Sequence, residues 1–192
     1  TMFRKEFAEV ISKTGMVPIK DLRPLLLDKD PNTVSEFGLL QFDFFDDVKF
    51  AKQLAENYNL TFIDLSKAKI KERILKLSKK SDVLKYRMLP IQKSANAVSV
   101  AIFDPSVVKL KAELQSVFQS PVEFILTNIS AWEKIYARVT ESIDELLSTI
   151  KEVLPESARE IETVREEDIG SEVITFVNRV LAEAFIKKAS DI

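Results

Sequence analysis

From Arg87 to Pro105 the sequence runs RMLPIQKSANAVSVAIFDP, and its apolar residues recur at every second position. Leu89 and Ile91 alternate with polar or small residues, Ser94–Ala95–Asn96 interrupts, and Val98, Val100 and Ile102 resume the pattern. A period of two sends successive side chains to opposite faces, so the stretch predicts two strands joined by a tight turn. Val98, Val100 and Ile102 have the bulk to fill a core, while Ala97, Ser99 and Ala101 allow close packing on the other side. Asp104 and Pro105 then read as the cap and first turn of a helix. A lone hairpin is marginal in water, so this one must be covered by further strands or a helix.

The flanks supply both. Residues 1–58 read as a helical subdomain. Phe3, Phe7, Val10 and Ile11 have helix spacing, with Gly15 ending that helix. A second helix starts near Pro18 and carries Leu22, Leu25, Leu26 and Leu27. Val34, Phe37 and Leu40 fit a short third. Asp46 or Asp47 opens a fourth, with Phe50, Ala51, Leu54 and Tyr58 turned inward. Residues 59–140 read as a small α/β subdomain around the hairpin 87–103. TFIDL at 61–65 suggests a strand, and Ile70, Ile74 and Leu77 one helical face. Ser81–Tyr86 adds a helical turn, and Val107, Leu110, Leu114, Val117 and Phe118 an amphipathic helix. Val122, Phe124 and Leu126 suggest another strand, and Ser130 with Glu133 a capping box. Trp132, Ile135, Tyr136 and Val139 are the buried stripe of the helix that follows. The fold class is α+β: helices, then a three- to four-stranded sheet covered by helices.

Residues 141–168 hold ten acidic residues against three basic ones, so this stretch carries about -7 of a net charge of -2 and leaves about +5 elsewhere. Ile143, Leu146, Leu147 and Ile150 continue a helical stripe, and 155–167 reads as an acidic linker. Residues 169–192 return to a strongly apolar helix whose exposed side, with Phe176, Val180 and Phe185, wants a partner surface. The chain is expected to be a segment of a longer protein, and a cytoplasmic one.

The composition narrows the chemistry. With no histidine and no cysteine, imidazole bases, thiolates, disulfides and the usual zinc sites are excluded. Gly15, Gly38 and Gly170 are the only glycines, and no GxxxxGK(S/T) or GxGxxG motif is present. Ser94, Ser99 and the carboxylates Asp43, Asp46 and Asp47 are the formal candidates for chemistry. Asp43 and Asp47 have the spacing to share a helix face, but helix capping and surface solvation are the favoured reading of these aspartates. Two further features are open to two readings. The run Phe42–Asp43–Phe44–Phe45 is either core or a docking surface, with Phe42, Phe44 and Phe45 as its contacts. The cluster Lys67, Lys69, Lys71, Lys76, Lys79 and Lys80 is either a solvated face or a contact for a protein or membrane surface. Aromatic and basic residues interleave too sparsely for nucleic-acid recognition.

LAENYNLTFIDL at 54–65, MLPI at 88–91, VSVAIFDP at 98–105 and SPVEF at 120–124 occur in this order. Together they resemble the amino-terminal domain of the ATPases that drive type II secretion and type IV pilus assembly. SEVITFVNRVLAEAFIKKASDI at 171–192 resembles the helix leading into that family's ATPase half. The resemblance implies a hexameric P-loop parent whose ATP and Mg2+ are bound outside these residues. It implies no cofactor or metal here, and a docking and regulatory role for this non-catalytic region. The implied partners are the cytoplasmic domain of an inner-membrane platform protein and the parent's own ATPase core. The implied location is cytoplasmic, peripheral to the inner membrane.

Some members of that family bind cyclic di-GMP through a doubled motif, RLGxxLVxxG followed by spaced leucines and a glutamine. Gly15, Met16, Val17, Leu22 and Leu26 match the first copy, but its opening residues fall on Glu6, Phe7 and Ala8 and its glutamine on Lys29. Leu39, Leu40, Phe50 and Leu54 match the second, with Val34 in place of the arginine and Asp43 in place of the inner glycine. A cyclic di-GMP sensor is therefore the alternative reading, with most of its nucleotide-contacting residues replaced.

Overall fold

The structure is a computed structural model and describes residues 3–30 and 33–153, with side chains to residue 141. Helix α1 (Lys5–Thr14) buries Phe7, Val10 and Ile11, and Gly15 ends it at φ 67, where glycine escapes the Cβ penalty. Helix α2 (Ile19–Leu26) follows Pro18 and buries Leu22. The expected third helix is instead a 3-10 segment, Ser35–Gln41. Its three-residue turn puts Glu36 and Leu39 inside together and leaves Leu40 half-exposed. Gly38 in that turn meets Leu25 of α2 so closely that a Cβ would lie 2.2 Å from Leu25 Cδ2.

Helix α3 (Asp47–Asn57) is capped by Asp46, whose carboxylate accepts the Lys49 amide at 3.0 Å. Phe50, Ala51 and Leu54 face inward as expected, but Tyr58 is exposed, because the helix stops at Asn57 and Asn59 turns the chain at φ 52. Asp43 lies in the turn before α3 and shares no helix face with Asp47.

Strand β1 is only Thr61–Phe62. The expected strand to residue 65 is cut short where Asp64 accepts the Ser66 amide and bends the backbone. The expected face of Ile70, Ile74 and Leu77 is not formed either. Lys71 is still extended (ψ 136), so helix α4 covers just Glu72–Leu75, with Leu75 as its buried residue. Helix α5 (Lys80–Tyr86) then leads into the hairpin.

Strands β2 (Met88–Lys93) and β3 (Val98–Ile102) pair antiparallel, with a bulge between Pro90 and Gln92. The Ser94 hydroxyl accepts the Asn96 and Ala97 amides and closes the turn. Asp104 caps the next helix with Pro105 in its first turn, as the sequence predicts. The helix divides into a 3-10 segment, Pro105–Leu110, and α6 (Lys111–Phe118). This crossover delivers β4 (Val122–Leu126) parallel to β3, and β1 adds parallel to β4, giving the mixed order β1-β4-β3-β2.

Helix α7 (Ile129–Val153) carries Trp132, Ile135, Tyr136 and Val139 into the core. Trp132 stacks on Tyr136 at 5.5 Å, meets Phe103 edge-on at 5.0 Å and donates Nε1–H to the Ala101 carbonyl at 3.0 Å. Phe103 touches Phe7 at 5.5 Å, and Phe7 touches Phe50 at 6.3 Å. Each such ring pair adds about 0.5–1.5 kcal/mol beyond area burial. One aromatic chain thus runs from α3 through α1 to α7. The compact unit of residues 1–140 ends inside α7, at the start of the acidic stretch. Residues 155–167 and 169–192, with Phe176, Val180 and Phe185, lie outside the described residues.

Candidate functional site

Buried charges knit the helical segment to the sheet. Arg4, immediately before α1, donates its backbone N–H to Glu36 Oε1 at 3.1 Å and its Nε to Asp104 Oδ2 at 2.8 Å. Its Nη2 reaches Ser106 Oγ at 3.4 Å. The other oxygen of Glu36 accepts Arg87 Nε at 3.1 Å, and Arg87 Nη1 donates to the Leu84 carbonyl. Glu36, Arg87 and Asp104 are all fully buried. Burying an ion costs several kcal/mol unless a partner and hydrogen bonds offset it, and here both are present. Burial pushes the Asp104 carboxyl upward, opposed by the Ser106 hydrogen bonds and the Arg4 charge. Asp104 is therefore both helix cap and ion-pair partner. Burial also raises the Tyr136 hydroxyl, against the lowering field of Arg87.

Asp47 makes a second long-range tie. Its carboxylate accepts the amides of Ile129 (2.8 Å) and Ser130 (3.0 Å), the Ser130 hydroxyl (2.6 Å) and Asn128 Nδ2 (2.9 Å). The start of α7 is thus capped from α3, not by the expected Ser130–Glu133 box. The Ser130 hydroxyl is taken by Asp47, and Glu133 is pushed upward by burial and then by the Asp47 charge.

The structure does not assemble the formal catalytic candidates. Asp46 and Asp47 serve as caps, Ser94 closes the hairpin turn, and Ser99 lies opposite Gln92 in the sheet. Among the described residues, no group of three acidic side chains is placed to hold a metal ion.

Two candidate surfaces remain. Phe42 and Phe44 stack at 5.2 Å and 11° on the turn before α3, with Phe44 55% exposed, while Phe45 turns in to Phe50 at 5.0 Å. Lys67, Lys71 and Lys76 are exposed, and Lys76 pairs with Glu72 at 2.8 Å. A shallow groove of about 390 Å³ lies over α1 and α2, lined by Ala8, Lys13, Ile19, Leu22 and Leu26. It covers the first copy of the doubled motif. Glu6, at the motif's arginine position, is exposed and 4.0 Å from Arg4. At the second copy Val34 is buried and Asp43 exposed. Sequence reasoning missed Arg4, Glu36 and the reach of Asp47, because partners 32 to 100 residues apart leave no local pattern.

Residues 58–146 match the MshEN domain family. The type IV pilus assembly ATPase PilB of Myxococcus xanthus (strain DK1622) is 22% identical over 192 residues, covering 96% of this chain. The chain spans about a third (34%) of that relative's length. Among solved structures, MshE with cdg is 21% identical, covering 71% of this chain and 99% of its own, with a TM-score of 0.44. The N-terminal domain of XpsE is 12% identical, covering 72% and 98%, with a TM-score of 0.47. No helix among the described residues is long and apolar enough to cross a membrane. Residues 58–146 carry an MshEN domain, and the chain is similar along nearly its whole length to a type IV pilus assembly ATPase.

Proposed function

We propose that this region is the non-catalytic docking and regulatory part of a secretion-system ATPase. It anchors the motor to the cytoplasmic domain of an inner-membrane platform protein and holds the parent peripheral to that membrane. ATP and Mg2+ are bound by the remainder of the parent. The observation that carries the reading is the Phe42–Phe44 pair. Two stacked rings, one more than half exposed, sit on a turn fixed by the 3-10 segment before it and the Asp46 cap after it. A rigid aromatic anchor of this kind is what binding hot spots are built from. Crosslinking to the platform protein's cytoplasmic domain tests it. Capture is expected for the chain and at least about tenfold weaker for Phe42→Ser/Phe44→Ser. Equal capture of both, or none of either, refutes the reading.

The cyclic di-GMP reading has one observation in its favour, the groove over the first motif copy. Against it, the groove is mostly apolar, and Glu6 stands where the motif supplies a cation for phosphate. Calorimetry at tens of micromolar nucleotide is expected to give no heat.

A further inference from the structure

From Gln41 to Asp47 the chain holds three phenylalanines, three aspartates and no cation. Phe45 N–H donates to the Phe42 carbonyl at 3.0 Å, which closes a four-residue turn with Asp43 and Phe44 at its tip. Phe42 N–H donates to the Leu39 carbonyl at 3.3 Å and ties that turn to the 3-10 segment. Phe42 covers one face of the Phe44 ring, only 11° from parallel, and no other ring or cation lies against Phe44 among the described residues. With Phe44 55% exposed, its other face is open to solvent.

The three carboxylates are engaged unequally. Asp47 spends both oxygens on the start of α7. Asp46 is exposed and spends one oxygen on the Lys49 amide. Asp43 is exposed and has no side-chain hydrogen bond or ion pair among the described residues. Even Lys49, the next cation along the chain, pairs with neither Asp43 nor Asp46 within 4 Å. An open aromatic face therefore stands beside an unengaged carboxylate on the adjacent residue, with a second, half-engaged one two residues on.

We infer that this turn binds a basic protein segment through an arginine, whose guanidinium lies on the open face of Phe44 and donates N–H groups to Asp43 and Asp46. The pairing of ring and carboxylate selects this occupant. A wholly apolar partner would cover Phe44 but strip water from Asp43 and give it no donor in return. An anionic bilayer surface would meet like charge. Lysine brings its charge as a point on a flexible stem, whereas a planar guanidinium stacks on a ring and pairs with a carboxylate at once. The inference rests on the docking reading for the place of this turn in a secretion machine, and adds the chemistry of what the turn meets.

The test titrates the nitrogen-15-labelled 192-residue chain with a capped peptide of alternating serine and arginine at low salt, and separately with its lysine counterpart. Amide shifts of residues 42–46 are expected to move and saturate with the arginine peptide, and the lysine peptide is expected to bind about threefold or more weakly. Asp43→Asn and Phe44→Ser are each expected to weaken the arginine peptide about threefold or more. Glu56→Gln removes the same charge at an exposed site of α3 and is expected to stay within about twofold of the parent chain. The amide spectrum of each variant checks that it folds. No shift at residues 42–46, equal binding of the two peptides, or equal loss in Asp43→Asn and Glu56→Gln overturns the inference. Platform-domain capture that is lost in Phe42→Ser/Phe44→Ser but unchanged in Asp43→Asn also overturns it and leaves the docking reading standing, so the two fail separately.

Discussion

Replacing Glu36 by glutamine keeps the side chain's volume but leaves one oxygen for two donors, the Arg4 amide and Arg87 Nε, so the variant loses the charge and one hydrogen bond. Glu36 and Arg87 are 0% exposed, at 3.1 Å. The variant takes the Glu36 charge away from the buried Arg87 guanidinium, and breaking a buried pair from one side costs about 3–5 kcal/mol. The retained oxygen places Glu36→Gln near the lower end, about 3 kcal/mol, a fall in Tm of about 6–12 °C for a chain this size. Arg87→Met strands the Glu36 carboxylate and also deprives the Leu84 carbonyl of a donor, worth about 1–3 kcal/mol more. In the double variant both members of the Glu36–Arg87 pair are removed together, so its loss should fall short of the sum of the singles by at least about 2 kcal/mol. Urea unfolding followed by circular dichroism measures all three. A loss under about 1 kcal/mol for Glu36→Gln, or additivity within about 0.5 kcal/mol, would refute the coupled pair.

Asp47→Ala removes four acceptor contacts at the start of α7 and should destabilise by about 2 kcal/mol, with faster amide exchange at Ile129 and Ser130 as the local readout. Gly38→Ala brings a methyl group onto Leu25 Cδ2 and should cost about 1–3 kcal/mol, less when combined with Leu25→Ala. Glu133 has a folded pKa raised above its unfolded value, so its contribution is full below about pH 4.5 and is lost as pH rises through the folded value. Glu133→Gln should therefore match the parent chain near pH 4 and exceed it at pH 7, by less than about 1 kcal/mol for a half-buried group; an equal difference at both pH values refutes this. Trp132→Ala should cost about 3–5 kcal/mol in urea unfolding, and the blue-shifted emission of this single, fully buried tryptophan should move red as the parent chain unfolds.

What the sequence made legible was what repeats locally. The two-residue period of 87–103 gave the hairpin, the three- and four-residue steps from Trp132 gave the buried face of α7, and Asp104–Pro105 gave a helix start. Errors fell where a distant contact overrode a local pattern. Ser130 and Glu133 have capping-box spacing, yet Asp47 arrives from 83 residues away and takes the Ser130 amide and hydroxyl. Val34, Phe37 and Leu40 suit an α-helix, yet the close approach at Gly38 and the inward Glu36 and Leu39 belong to a tighter winding. Glu36 carries no local signal of its burial, because its partner Arg87 lies 51 residues away.

The same long-range contacts bear on how a docking surface on the helical segment would transmit load. Phe42 and Phe44 are bracketed by the segment bearing Glu36 on one side and by Asp46 and Asp47 on the other. Glu36 is tied to Arg87 at the head of β2 and, through Arg4, to Asp104 at the end of β3, while Asp47 is tied to the start of α7. A pull on the Phe42–Phe44 turn therefore meets buried ion pairs and a charged cap before it can lift the turn from the sheet. Rupturing either leaves a charge or several amides without partners in a dry interior, where the penalty is largest. The helical segment and the sheet are thus coupled mechanically, by polar contacts placed at the ends of the elements that carry the core.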